Sequence, residues 1–292
     1  MNAHLHVNAF YDANTFTFSY LLLDEHSKEA AIIDSVLDYD PKSGRTSTHS
    51  ADQLLAKLKE SGATLRWILE THVHADHLSA APYLMKAAGG QSVIGSKIVQ
   101  VQHVFGQLFN LGDEFLRDGS QFSCLINDGD ELDFGPFKIR AMHTPGHTPA
   151  CMTYLIEDAE VTHAFVGDTL FMPDYGTARC DFPGGSADEL FTSIQKVLAL
   201  PEKTKLYMCH DYPPKTRQEQ FLTTVHDQQV GNVHVHNGIC RETFVAMRQQ
   251  RDATLSMPVL ILPAVQVNMR AGQFPPAEDN GISYLKLPIN GL

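Results

Sequence analysis

Apolar and polar positions divide the chain into short runs that predict alternating strands and helices. Phe16 to Leu23 and Glu29 to Ile33 are rich in aromatic and β-branched residues and flank the polar stretch Asp24-Glu25-His26-Ser27-Lys28, which predicts two paired strands. Pro41 to Thr48 reads as a polar loop. Ser50 to Glu60 places Leu54, Leu55 and Leu58 at helical spacing, and the apolar run Leu65 to Leu69 follows it as a buried strand. Ala80 to Ala88 suits a helix ended by Gly89-Gly90, Val93-Ile94 a short strand, and Ile98 to Phe109 a helix covering the sheet. From Phe122 to His143 the pattern turns to strands broken at Asp128-Gly129-Asp130 and Phe134-Gly135-Pro136, which implies a second sheet. Near the C-terminus, Arg217 to Gln229 and Arg241 to Gln250 read as helices. Met257 to Ala264 reads as an apolar segment that packs back on the sheets, anchored by Arg270.

Composition narrows the class. A chain of 292 residues that is 43% hydrophobic and 19% charged is globular and long enough for a large core. Its formal net charge of -12 argues against a broad basic surface for nucleic acid or an anionic membrane, leaving room only for a local basic pocket. Met1 to His6 has no signal-peptide pattern and no later run is long enough to span a bilayer. Cys124, Cys151, Cys180, Cys209 and Cys240 are odd in number and scattered, without a C-x-x-C pair. These features predict a cytoplasmic protein without a disulfide framework.

Chemistry concentrates where strands end. Directly after Leu65 to Leu69 comes Thr71-His72-Val73-His74-Ala75-Asp76-His77, three imidazoles and a carboxylate within six residues. Such polarity at the end of an apolar strand is costly to bury unless something satisfies it, and these are the side chains that hold Zn, Fe or Mn. His147 lies in the Pro- and Gly-bracketed Thr144-Pro145-Gly146-His147-Thr148-Pro149, Asp168 ends the apolar run Ala164 to Gly167, and His210-Asp211 ends Leu206 to Cys209. A single strand-end His or Asp is usually a cap or surface residue. Four such endings in one chain, gathered along one rim of a two-sheet sandwich, read as a metal site. The tract Asn232-Val233-His234-Val235-His236-Asn237 is set aside as a connector whose imidazoles meet solvent or an interface.

The order His72-x-His74-x-Asp76-His77, His147, Asp168, His210 resembles the metallo-β-lactamase superfamily. The resemblance implies an α/β fold, an αββα sandwich, with residues 1–212 as catalytic domain and 213–292 as a C-terminal helical and extended extension packed on it. In a dinuclear member His72, His74 and His147 hold one metal, Asp76, His77 and His210 the other, and Asp168 bridges. The flanking residues Asp168-Thr169-Leu170, Arg179-Cys180-Asp181-Phe182, His210-Asp211-Tyr212 and Pro263 to Arg270 resemble more narrowly the persulfide dioxygenases, or sulfur dioxygenases, the group of the ethylmalonic encephalopathy protein. Gly176-Thr177-Ala178 and extra residues around Tyr39 to Thr48 and Phe105 to Gly119 suit a bacterial-type branch.

That narrower resemblance implies one Fe(II) per chain on His72, His147 and Asp168, with His74, Asp76, His77 and His210 as supporting residues around it. Two histidines and a carboxylate on one face of an iron leave open positions for a substrate and O₂. The implied substrate is glutathione persulfide, oxidised to sulfite with release of glutathione in sulfide detoxification. Its carboxylates need cations, and arginine offers the better fork. Arg179 is the first candidate, then Tyr212, Lys215 and Arg217; Tyr212 is also a candidate for hydrogen bonding to a reacting oxygen. A homodimer is one assembly the resemblance implies. The competing enzymatic reading is a thioester hydrolase of the glyoxalase II type with two Zn(II), and a non-catalytic metal-binding module is a third.

Overall fold

The computed structural model describes residues 4–291. In its first half the elements run β1 (His6–Asp12), β2 (Thr17–Asp24), β3 (Glu29–Ile33), β4 (Val36–Asp40), β5 (Arg45–Ser47), α1 (His49–Ser61), β6 (Thr64–Leu69), β7 (Leu78–Ser79), α2 (Ala81–Ala88), β8 (Gln91–Gly95), α3 (Ile98–Leu108) and β9 (Cys124–Ile126). The second half adds β10 (Glu131–Phe134), β11 (Phe137–His143), β12 (Met152–Glu157), β13 (Thr162–Phe165), α4 (Ala187–Leu198), β14 (Lys205–Tyr207), β15 (Leu222–Thr224), α5 (Val225–Gly231), α6 (Arg241–Asp252) and α7 (Ile261–Asn268).

Two six-stranded sheets result, ordered β1-β2-β3-β6-β8-β9 and β10-β11-β12-β13-β14-β15. They face each other through one core. Strand β2 shows why: every residue in it is buried, because side chains alternate faces and both faces are covered. Tyr20 and Leu22 point between the sheets to meet Phe165, Tyr154 and Ile139. Leu21 and Leu23 point outward to Leu54 and Leu58 of α1 and Leu84 of α2. On the far side Leu155 and Ala164 turn out to Leu190 and Ile194 of α4 and Phe244 of α6. Helices outside two facing sheets make the αββα sandwich of the sequence expectation.

Three local readings change. The polar stretch 41–48 contains β5, which pairs antiparallel with β4 at Asp38↔Ser47 and Asp40↔Arg45. Its residues are exposed, so no apolar alternation marks it. The helix expected over Arg217 to Gln229 starts only at Val225: Leu222–Thr224 pairs with β14, and the Thr224 side chain then accepts from Asp227 N–H as an N-cap. Strand β15 lies beyond Tyr212 and adds an edge strand to the second sheet. Helix α4, absent from the hydrophobic reading, begins at Ser186, whose side chain accepts from Glu189 N–H. The S-x-x-E spacing of Ser186 and Glu189 signals that start. Among the described residues no helix is long and apolar enough to cross a membrane.

Candidate metal centre

Strand ends deliver the site. Strand β6 runs parallel to β3 and β8 and hands over to the loop 70–77. Asp34, just past β3, organises that loop: its carboxylate accepts from Thr71 N–H at 2.7 Å and from Thr71 Oγ1 at 2.8 Å, and faces His74 Nε2 at 3.0 Å. From the C-terminal side, Asn268 of α7 donates its side-chain amide to the carbonyls of His74 (2.9 Å) and His77 (2.8 Å) and accepts from Ser79 N–H (2.8 Å). A buried polar clamp of this kind fixes loop geometry because each bond replaces one that water can no longer supply. Neither Asp34 nor Asn268 stood out in the sequence as a site residue. Each is a lone polar residue at the end of an apolar run.

Glycine admits the other loops to the centre. Gly146 has φ +136°, and a Cβ there would lie 2.3 Å from Leu190 Cα and N. His147 can therefore approach only because α4 touches bare backbone. Gly167 (φ +51°) likewise backs onto Thr71 just before Asp168.

The site's imidazoles and carboxylates converge in a buried cluster. His147 Nε2 lies 3.6 Å and His72 Nε2 3.9 Å from Asp168 Oδ2, while His210 Nε2 lies 3.4 Å from both Asp168 Oδ1 and Asp76 Oδ2. The ligand atoms of His72, His147 and Asp168 gather within 4.8 Å of one another, as do those of His74, Asp76 and His77. Each ring is oriented from behind. His147 Nδ1–H donates to the Arg179 carbonyl at 2.8 Å, and His72 Nδ1 meets the Thr71 hydroxyl at 3.0 Å, so both Nε2 lone pairs face the centre.

Burial, reinforced by neighbouring His74 and His147, holds the His72 ring well below its ordinary pKa and keeps it neutral. Burial also disfavours charge on His74, yet the Asp34 carboxylate outweighs it and raises that pKa well above the usual value. For Asp76 burial is opposed by His210 and His77, which keep the carboxylate ionised. Burial, with Asp76 and Asp168 behind it, raises the Tyr212 phenol well above its usual value, so that group stays protonated.

Two clefts open onto this cluster. The smaller, of about 260 Å³, is lined by His147, Asp168, Arg179, Phe182, Tyr212 and Arg251 among others. The larger, of about 1020 Å³, lies against the β4–β5 hairpin and reaches Asp76, His77 and Tyr212. Of the residues expected on the substrate wall, Arg179 and Tyr212 line the smaller cleft. Arg179 is held by Asp181 through two bonds of 2.6 Å and donates to the Ser256 carbonyl. Arg217 instead forms forks with Asp174 and Asp211 away from both clefts, and Lys215 is exposed and lines neither.

His234 also differs from the sequence expectation, because it faces inward and accepts from Thr177 N–H at 3.1 Å. Cys180 and Cys209 are buried, and burial pushes both thiols above their ordinary range. Arg270 anchors its segment by lying over the Phe115 ring at 4.3 Å.

Fold and cluster together define a metal-binding enzyme built on a two-sheet sandwich. The chain belongs to the metallo-beta-lactamase superfamily, whose family model matches residues 14–210. It is 61% identical to a probable metallo-hydrolase of Burkholderia pseudomallei (strain 1710b), over 98% of this chain and 99% of that one. It is 49% identical to glyoxylase B2 of Dictyostelium discoideum, over 98% and 97%. With the mitochondrial persulfide dioxygenase ETHE1 of Bos taurus it shares 32% identity over 91% and 89%. The crystal structure of ETHE1 from Myxococcus xanthus superimposes with a TM-score of 0.72 at 28% identity, over 92% of this chain and 100% of that one.

Proposed function

We propose that this protein is an iron(II)-dependent persulfide dioxygenase that oxidises glutathione persulfide with O₂ to sulfite and glutathione. The donor set fits a metal: His72 Nε2 and Asp168 Oδ1 are buried without a hydrogen-bond partner, which a cation answers. The observation that carries the reading is the arrangement of His72, His147 and Asp168, one ligand from each of three strand-end loops. Asp76, His77 and His210 share the Thr17 hydroxyl, at 3.4, 3.4 and 3.3 Å, and in this reading support the centre without binding the iron. Iron bound by two histidines and a carboxylate supplies open positions for a sulfur anion and O₂. The mitochondrial persulfide dioxygenase relative supports the same reading.

The rest falls to the chain's own residues. Phe171, Tyr175 and Tyr212 form an aromatic wall, with Tyr175 and Tyr212 centroids 4.8 Å apart, that keeps water from the reacting sulfur. The protonated Tyr212 hydroxyl can donate to an oxygen of the substrate. Asp34, Thr71 and the Arg179 carbonyl hold the imidazoles in place while the substrate exchanges.

A dinuclear zinc thioester hydrolase is the second reading, favoured by the unpartnered His77 and His210 nitrogens and by the similarity to glyoxylase B2. Single variants separate the two. Asp168→Ala is expected to abolish iron retention and O₂ uptake on glutathione persulfide, whereas His210→Ala keeps its iron. Loss of metal in His210→Ala, together with hydrolysis of S-lactoylglutathione by the unaltered protein, would move it to the hydrolases.

A further inference from the structure

Three guanidinium groups line the smaller cleft, and two of them are already engaged. Arg179 is forked onto Asp181. Arg248, fully buried, is paired with Asp252 and donates to the Thr177 carbonyl at 3.0 Å. Arg251 is different: among the described residues no carboxylate lies within 4.0 Å of its side chain, and its guanidinium is exposed, 6.0 Å from the centroid of the Tyr175 ring.

Its place in the fold is firm. Arg251 lies in the last turn of α6, one turn beyond Arg248 on the same helix face. That helix is held by Phe244, which is buried against Phe191 of α4. From Arg251 an aromatic lane leads inward, Tyr175 to Tyr212 at 4.8 Å between centroids and Tyr212 to His210 at 5.9 Å. Burial first, then Arg248 and Arg251, push the His234 ring down to about 4, in a molecule whose formal net charge is -12.

We propose that Arg251 binds a carboxylate of the thiol-bearing substrate and so sets a preference for a peptide-like, carboxylate-bearing thiol over a small uncharged one. The inference rests on the reading that this site takes a glutathione-derived substrate. It assigns the anchoring role to the arginine of the smaller cleft whose fork is open, in place of Arg179. A charge-assisted bond in a partly desolvated cleft is among the stronger polar contacts, and an arginine fork matches a carboxylate in geometry.

Calorimetric titration with glutathione itself, the thiol released by either candidate reaction, tests this apart from the chemistry. Arg251→Gln is expected to weaken glutathione binding by ~10-fold to ~100-fold and to raise KM for glutathione persulfide in step, with kcat much less affected. Turnover of an uncharged alkyl persulfide should change far less, and Arg251→Lys should recover part of the loss. Unchanged glutathione affinity in Arg251→Gln, equal losses toward both persulfides, or no glutathione binding by the unaltered protein would each overturn the assignment. If the unaltered protein bound glutathione, lost that binding in Arg251→Gln, yet consumed no O₂, the dioxygenase reading would fail and Arg251 would stand.

Discussion

Asn268 shows how much of the site depends on residues that never touch a substrate. Its amide holds the second half of the 70–77 loop through the His74 and His77 carbonyls and receives the Ser79 N–H, all within buried surroundings. Replacing it by alanine leaves two carbonyls and one N–H without partners, so Asn268→Ala is expected to cost about 2–4 kcal/mol of folding free energy, measured by urea denaturation. Metal affinity should fall with it, since the clamp holds the His74 and His77 backbone. His234 carries a pH dependence. Its folded pKa, about 4, lies below the ordinary imidazole value of about 6.5. Below that ordinary value the unfolded chain binds the proton more readily, so the stabilisation present above pH ~6.5 is lost progressively as pH falls toward ~4. The urea midpoint of the unaltered protein should therefore drop through this window more steeply than that of His234→Gln. Parallel curves would contradict the sign. At this scale the sequence displayed the candidate ligands, because clustered imidazoles at strand ends are conspicuous. Asp34, Asn268 and Arg251 were not legible, since their partners lie far along the chain and only folding brings them together.

At the scale of elements, tight backbone approach decides what the loops can present. The 146–147 turn sits against the first turn of α4, and Ser186 N–H donates to the Gly146 carbonyl. Gly146→Ala would force a Cβ to 2.3 Å from Leu190 backbone at positive φ, and a loss of about 3 kcal/mol or more is expected from strain and overpacking combined. Gly129→Ala is the natural comparison: φ is also positive, but no atom lies within 4 Å, so it should cost only about 1 kcal/mol. Thermal unfolding of both variants checks the contrast, and equal shifts would contradict it. Buried strands and amphipathic helices were readable because their periodicity reflects the core they face. Strand β5 and the start of α5 were not, since the one is exposed on both faces and the other is set by a Thr224 cap rather than an apolar stripe.

For the whole molecule, the two sheets act as a rigid frame whose strand ends meet along one rim. Strands β6, β11, β13 and β14 each lead into a loop of the cluster, and α7 returns from the C-terminal region to clamp one of those loops. The Pro263 to Arg270 stretch that resembles the persulfide dioxygenases therefore has a physical role in the fold: it supplies Asn268 to the loop and sets Arg270 on Phe115. Asp76 and Tyr212 line both clefts, so the two meet beside the cluster. The central claim is that the cluster works as a mononuclear iron centre acting with O₂. It is tested most directly by elemental analysis of anaerobically purified protein, combined with O₂ consumption and sulfite formation on adding glutathione persulfide. The account predicts about one iron per chain and O₂ uptake matched by sulfite. About two zinc ions per chain with no O₂ uptake would contradict it and return Asp76, His77 and His210 to direct metal binding.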